Sequence, residues 1–204
     1  MISSFIRLTS LLLILGGFAY GQIGFKVGEK VTDFSLENID GKMVSMADYE
    51  EAKGFIVVFT CNHCPYAKMY EQRIMDLATT YNAKGYQVIA IQPNDPQAYP
   101  EDNMSNMRAR SSEMEYQFPY VMDKTQEVAR AYGATRTPET RVIERMPNGD
   151  LVLRYIGAID DNYKNAEGVE QAYTADAVDA LLAGKEVSTT SAKAVGCSIK
   201  WKKS

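Results

Sequence analysis

The sequence predicts an α/β domain: one central sheet of mixed strand direction with helices on both faces. Three observations carry this. Residues 55–59 and 86–91 are continuous, β-branched apolar runs, the pattern of strands buried on both faces. Between them, Ala67, Tyr70, Ile74, Leu77, Ala78 and Tyr81 recur at three- and four-residue spacing, which makes a strand–helix–strand crossover with a parallel pair. Further on, residues 141–146 and 151–156 flank Pro147-Asn148-Gly149-Asp150, a turn that pairs its neighbours antiparallel.

The chain has 204 residues, 46% of them apolar and 24% charged, which suits one globular domain. Its net charge of −4, without a basic block, speaks against nucleic-acid binding. The first 21 residues differ from the rest. Arg7 is their only charge, an apolar stretch centred on Leu11 to Leu15 follows, and Ala19-Tyr20-Gly21 sets small residues before Gln22. That order reads as a cleaved secretory signal peptide, since the apolar run is shorter than the roughly 18–20 residues of a spanning helix. The expected organisation is therefore 1–21 signal peptide, 22–184 domain and 185–204 tail. The product would be exported to the periplasm or the medium, with no membrane attachment.

Local signals place the remaining elements. Phe34, Leu36 and Ile39, then Asp40-Gly41, then Met43-Val44 read as a hairpin. Residues 94–100 are loop, 103–115 a mostly polar helix and 119–122 a short strand. Asp123, with Gln126 three residues on, reads as the capping start of a helix that Gly133 closes. Thr174 is the expected cap of a last helix through Leu182, with Gly184 as its stop. Residues 185–204 read as a tail that wraps the surface or stays mobile.

Chemistry concentrates in Thr60-Cys61-Asn62-His63-Cys64-Pro65, at the junction of a buried strand and a helix. A helix start supplies unpaired N–H groups and the positive end of the dipole, both of which favour a thiolate. Two intervening residues bring the two sulfurs within bonding range. Cys61 is then expected to be the exposed attacking thiol and Cys64 the more buried resolving one, cycling between dithiol and disulfide. His63, the single histidine of the chain, would favour the Cys61 thiolate further if cationic. Pro65 fits the first helical turn. A zinc site wants about four ligands and finds a poor set here. Haem attachment wants His directly after the second Cys, where Pro65 stands. No nicotinamide or flavin fingerprint is present, so no cofactor or metal is expected beyond the disulfide itself.

The stretches FTCNHCPYAKMYEQRI (59–74), NDPQAYPEDN (94–103), EVARAYGATRTPET (127–140), YIGAIDDNYKN (155–165), DALLAGKEV (179–187) and AVGCSIKWK (194–202) resemble the thioredoxin superfamily. In detail they are similar to its redoxin branch, the alkyl hydroperoxide reductase/thiol-specific antioxidant and thioredoxin-like proteins. The resemblance implies a thioredoxin fold with an N-terminal β-hairpin and an inserted helix. It further implies a cis-proline opposite the cysteines, which by position is Thr137-Pro138; the Thr137 backbone would hold a bound substrate strand beside Cys61. Many relatives carry Cys where this chain has Arg136. Relatives also bury an acid in the strand before the pair, as proton acceptor; residues 55–59 hold none, and Glu139 is the candidate in its place.

The resemblance implies an exported thiol–disulfide oxidoreductase. Its partners would be protein thiols and disulfides, with a redox protein as electron donor or acceptor and the enzyme itself a monomer. Two alternatives stay open. One is a peroxiredoxin-like thiol peroxidase with antioxidant activity, Cys64 peroxidatic and Cys197 a late accessory thiol. Against it, the hydroxyl and proline of the P-x-x-x-T-x-x-C pattern are replaced by Cys61 and Val57. The other is a non-catalytic binding module. Asp160-Asp161-Asn162 reads as a turn rather than a metal loop.

Overall fold

The structure, a computed structural model, describes residues 24–203; the expected export segment lies outside them. In chain order it contains β1 Leu36–Asn38, β2 Met43–Val44, β3 Gly54–Phe59, α1 Pro65–Tyr81, β4 Tyr86–Gln92, α2 Met104–Glu113 and β5 Tyr120–Met122. Then follow α3 Glu127–Ala131, β6 Arg136–Thr137, β7 Glu139–Arg145, β8 Leu151–Gly157, α4 Tyr173–Leu182, β9 Ser191–Ala192 and β10 Cys197–Ser198. Eight strands form one sheet in the order β2-β1-β5-β4-β3-β7-β8-β9. The pairs β3–β4, β4–β5 and β8–β9 are parallel, and the other four are antiparallel.

Side chains of the central strands alternate between two core layers, because successive residues of a strand face opposite sides. Ile56, Val58, Val88, Ala90 and Val142 face the layer that receives α1 and α4. Phe55, Val57, Phe59, Ile89, Ile91 and Ile143 face the layer closed by the N-terminal hairpin and α3. All are fully buried, each larger one contributing roughly 1.5–3 kcal/mol. Strand β3 is therefore apolar throughout because it has no solvent side.

Two helix starts differ from expectation. Helix α3 begins at Glu127 rather than beside Asp123, because Gln126 adopts φ 63° and breaks the helical path. Asp123 still serves the helix from a distance, its carboxylate accepting from the Ala129 N–H at 2.8 Å. Thr174 lies inside the first turn of α4, with Ala172 in the capping position. Its buried hydroxyl instead sits 2.8 Å from Thr140 Oγ1 and donates to the Ala158 carbonyl, pinning α4 to β7.

Residues 185–203 run over the domain and contribute two strands. β9 extends the sheet along β8, where Ile156 meets Ser191 and Gly157 meets Ala192. Gly157 allows this approach: its φ is 138°, and a Cβ there would fall 1.8 Å from the Ala192 carbonyl oxygen. β10 pairs antiparallel with β6, Cys197 opposite Thr137 and Ser198 opposite Arg136.

Arg141 is fully buried in the middle of β7. It donates to the Tyr132 and Thr140 carbonyls at 2.9 Å each and lies 3.4 Å from the Glu139 carboxylate. Removing its charge would leave buried acceptors and a carboxylate without a partner. Arg141→Leu is accordingly expected to cost about 3–5 kcal/mol, read as a lowered urea midpoint at unchanged slope.

Candidate active site

The site assembles where β3 ends and α1 begins. Cys64 occupies the capping position of α1 with extended backbone (φ −68°, ψ 123°), and Pro65 takes the first helical position, where a missing N–H costs nothing. Cys61 and Cys64 pack in one buried cluster with Ala67, and Cys197 and Tyr66 lie against it. The cysteine pairing differs from the one expected. Cys64 is bonded to Cys197, with Cα atoms 6.1 Å apart, and Cys61 is the free thiol. Cys64 Sγ also lies 3.3 Å from the Thr137 carbonyl, a contact rather than a hydrogen bond because a bonded sulfur carries no proton.

Cys61 is not the exposed thiolate the sequence suggested: it is 4% exposed. Burial and the nearby Asp102 charge push its pKa from 9.0 up to about 11. Hydrogen bonds from Thr137, the Cys64 backbone and Asn94 oppose the rise and do not cancel it. In this state the helix start is present but loses to desolvation, and the thiol stays protonated at neutral pH. Thr137 Oγ1 lies 3.2 Å from Cys61 Sγ, placed to donate once a thiolate forms. The Thr137–Pro138 peptide bond is cis.

Asp102, an acid with no local motif around it, organises the turn. Its side chain is fully buried, and one oxygen accepts from the N–H groups of Asn62 (2.8 Å) and His63 (3.1 Å). The other accepts from Asn94 Nδ2 at 2.8 Å and meets His63 Nδ1 at 2.5 Å. A carboxylate only accepts, so His63 holds its proton on Nδ1. Tyr99 stacks on the imidazole with ring centres 4.3 Å apart. His63 therefore spends its Nδ1 proton on Asp102. Cys61, His63 and Asp102 bring ligand atoms within 4.8 Å of one another. Asp102 already takes four donors, however, which leaves the trio a poor cation cage.

Glu139, the candidate proton acceptor, is engaged by other groups. It accepts from the Thr135 N–H at 2.9 Å and faces the Arg141 guanidinium. Asp160 belongs to an anchor rather than a metal loop: Arg73 donates to it at 2.6 Å, and Tyr70 at 3.0 Å.

Two cysteines separated by two residues, at the start of the helix that follows the central parallel strand, are a site of the kind that thiol–disulfide oxidoreductases use. That is the class into which this chain falls. A family model described as the AhpC/TSA family matches residues 27–162, well over half of the sequence, and the chain belongs to that family. Among curated proteins it is similar to the thiol-disulfide oxidoreductase ResA of Halalkalibacterium halodurans, 25% identical over 136 residues, 67% of this chain and 72% of that protein. Two crystal structures overlay closely. An uncharacterized conserved protein from Geobacillus kaustophilus gives a TM-score of 0.81 at 39% identity, covering 88% of this chain and 94% of that one. A hypothetical protein from Sinorhizobium meliloti gives 0.80 at 34% identity, covering 89% and 97%.

Titration of Cys61 has a consequence for stability. The unfolded thiol ionises near 9.0 and the folded one near about 11, so between these values the unfolded state has shed a proton that the native state retains. The contribution of this group is whole below 9.0 and is lost as the pH climbs towards 11. Stability should fall across that window, and the fall should be shallower in Cys61→Ala, measured by urea unfolding at each pH.

Proposed function

We propose that this protein is an exported thiol–disulfide oxidoreductase in which Cys61 attacks and Cys64 resolves. The carrying observation is the meeting of three cysteines at the start of α1, one pair bonded and one thiol free, beside the Thr137 backbone. In the reducing direction the Cys61 thiolate attacks a substrate disulfide and forms a mixed disulfide, expelling one substrate thiolate. Cys64 then attacks Cys61 Sγ, which closes Cys61–Cys64 and releases the second substrate thiolate. Two electrons have passed to the substrate, and a dithiol partner protein restores them. Thr137 stabilises the Cys61 thiolate through its hydroxyl and presents its backbone to the substrate strand. His63 donates from Nδ1 to Asp102, whose charge opposes thiolate formation.

Export rests on the order of charge, apolar run and small residues at 1–21. No helix among the described residues is long and apolar enough to cross a membrane. N-terminal sequencing of the chain secreted by its native host should begin at Gln22.

With dithiothreitol as electron source, Cys61→Ser should lower insulin reduction to the uncatalysed rate. Cys64→Ser should accumulate a mixed disulfide at Cys61, identified by mass mapping; full activity in Cys61→Ser rejects the assignment. The Cys64–Cys197 bond favours a second reading, a thiol peroxidase with Cys64 peroxidatic and Cys197 resolving. Peroxide consumption that survives loss of Cys61 and stops with loss of Cys64 would select it.

A further inference from the structure

The edge of β6 is the place where an extended substrate would pair, and in this structure it is filled. Residues 194–202 run past it, with Cys197–Ser198 forming strand β10. Cys197 and Ser198 pair with Thr137 and Arg136, and the Ile199 N–H donates to the Thr135 carbonyl at 3.0 Å. Contacts on both sides hold the segment. Arg136 Nη1 donates to the Gly196 carbonyl at 3.0 Å. The Lys200 N–H donates to Asn94 Oδ1 at 2.8 Å, while the Lys200 carbonyl accepts from Gln126 Nε2 at 2.9 Å. Ile199 is 4% exposed, and the Arg130 guanidinium lies 4.4 Å above the Trp201 ring. At the centre, Cys197 is covalently joined to Cys64.

We infer that the 194–200 segment is a tethered substrate: it occupies the peptide site beside Thr137, and its Cys197 is a third redox thiol that keeps the enzyme latent until it is displaced. The inference rests on the thiol–disulfide reading above and adds a substrate class to it. The site takes an extended, cysteine-bearing peptide antiparallel to Arg136–Thr137, with glycine before the cysteine and an apolar residue two places after it. Glycine is required by contact: a Cβ at position 196 would stand 2.4 Å from the Thr137 carbonyl oxygen and 2.8 Å from its carbon. The apolar preference follows from the buried seat of Ile199.

Release needs no external oxidant or reductant. Cys61 Sγ gives up its proton and attacks Cys64 Sγ; the Cys64–Cys197 bond breaks as Cys61–Cys64 forms. Cys197 leaves as thiolate and takes up a proton. One disulfide is exchanged for another, and the peptide edge is freed for an external strand.

The test uses the full chain with Gly196→Val, which drives the strand off its seat, and Cys197→Ser, which keeps the strand but removes the bond. Oxidised proteins are labelled with iodoacetamide and the labelled cysteine is located by mass mapping. Wild type should label slowly and at Cys61. Gly196→Val should label at least about tenfold faster and at Cys197, because the displaced strand exposes that thiol once Cys61–Cys64 has formed, whereas Cys197→Ser should take up no label, its two remaining cysteines being joined. Label that stays at Cys61 at the wild-type rate in both variants overturns the inference, as does a native disulfide map with Cys197 always unpaired. The labelling readout needs no turnover, so absent insulin reduction would count against the proposed function alone. A synthetic peptide of sequence AVGCSIK, its cysteine capped with thionitrobenzoate, supplies the substrate arm. Gly196→Val protein, reduced and then freed of reductant so that Cys61 is a thiol, should release the chromophore from it at least about tenfold faster than from the analogue with valine before the cysteine. Equal rates overturn the assigned substrate class.

Discussion

The geometry of the cysteine turn depends on one carboxylate that solvent cannot reach. Asp102 receives two backbone N–H groups from the turn itself, a side-chain amide from the loop after β4 and the imidazole between the cysteines. Burying an anion is costly unless its lone pairs are filled, and here four donors fill them. The same charge works against the chemistry next door, since it helps hold Cys61 protonated. His63, the imidazole between the cysteines, donates to that carboxylate through Nδ1 and so ties the turn to it.

Through Asn94 the carboxylate is mechanically linked to the end of the chain. Asn94 gives its amide to Asp102 and its carbonyl oxygen to the Lys200 N–H. Gln126, held at φ 63° in the break before α3, completes the grip by accepting from the Lys202 N–H at 2.8 Å. The residue that spoils a helix start thus becomes a clasp. Detachment of the terminal segment would remove one of the contacts that fixes the Asn94 amide and so loosen the acid–imidazole pair.

Where the determinants are local, they can be read from the sequence. The β3 run, the spacing along α1, the turn at 147–150 and the cysteine pair ahead of Pro65 all rest on neighbours within a few residues, and all fall where their patterns place them. The determinants that escaped are long-range. Asp102 follows Pro100-Glu101 and precedes the capping residue Asn103, so it reads as an ordinary loop acid; its burial comes from residues about forty places upstream. Strand β10 is two residues long and pairs with a partner sixty places away, too short for any periodicity to announce it. The cysteine bond went unforeseen for the same reason. Proximity along the chain suggested Cys61 for Cys64, whereas the fold delivers Cys197.

The margins of the main sheet are both two-residue strands, Met43–Val44 on one side and Ser191–Ala192 on the other. Margins that short offer almost no ladder to a passing chain, a common guard against sheet-to-sheet aggregation. Arg136–Thr137 stands outside that sheet with the terminal strand as its ladder partner among the described residues. A polypeptide seeking backbone pairing therefore meets blunted borders on the sheet and one guarded berth beside the sulfurs. Selectivity for unfolded or extended clients would then begin with the scarcity of places to dock, before any side chain is recognised.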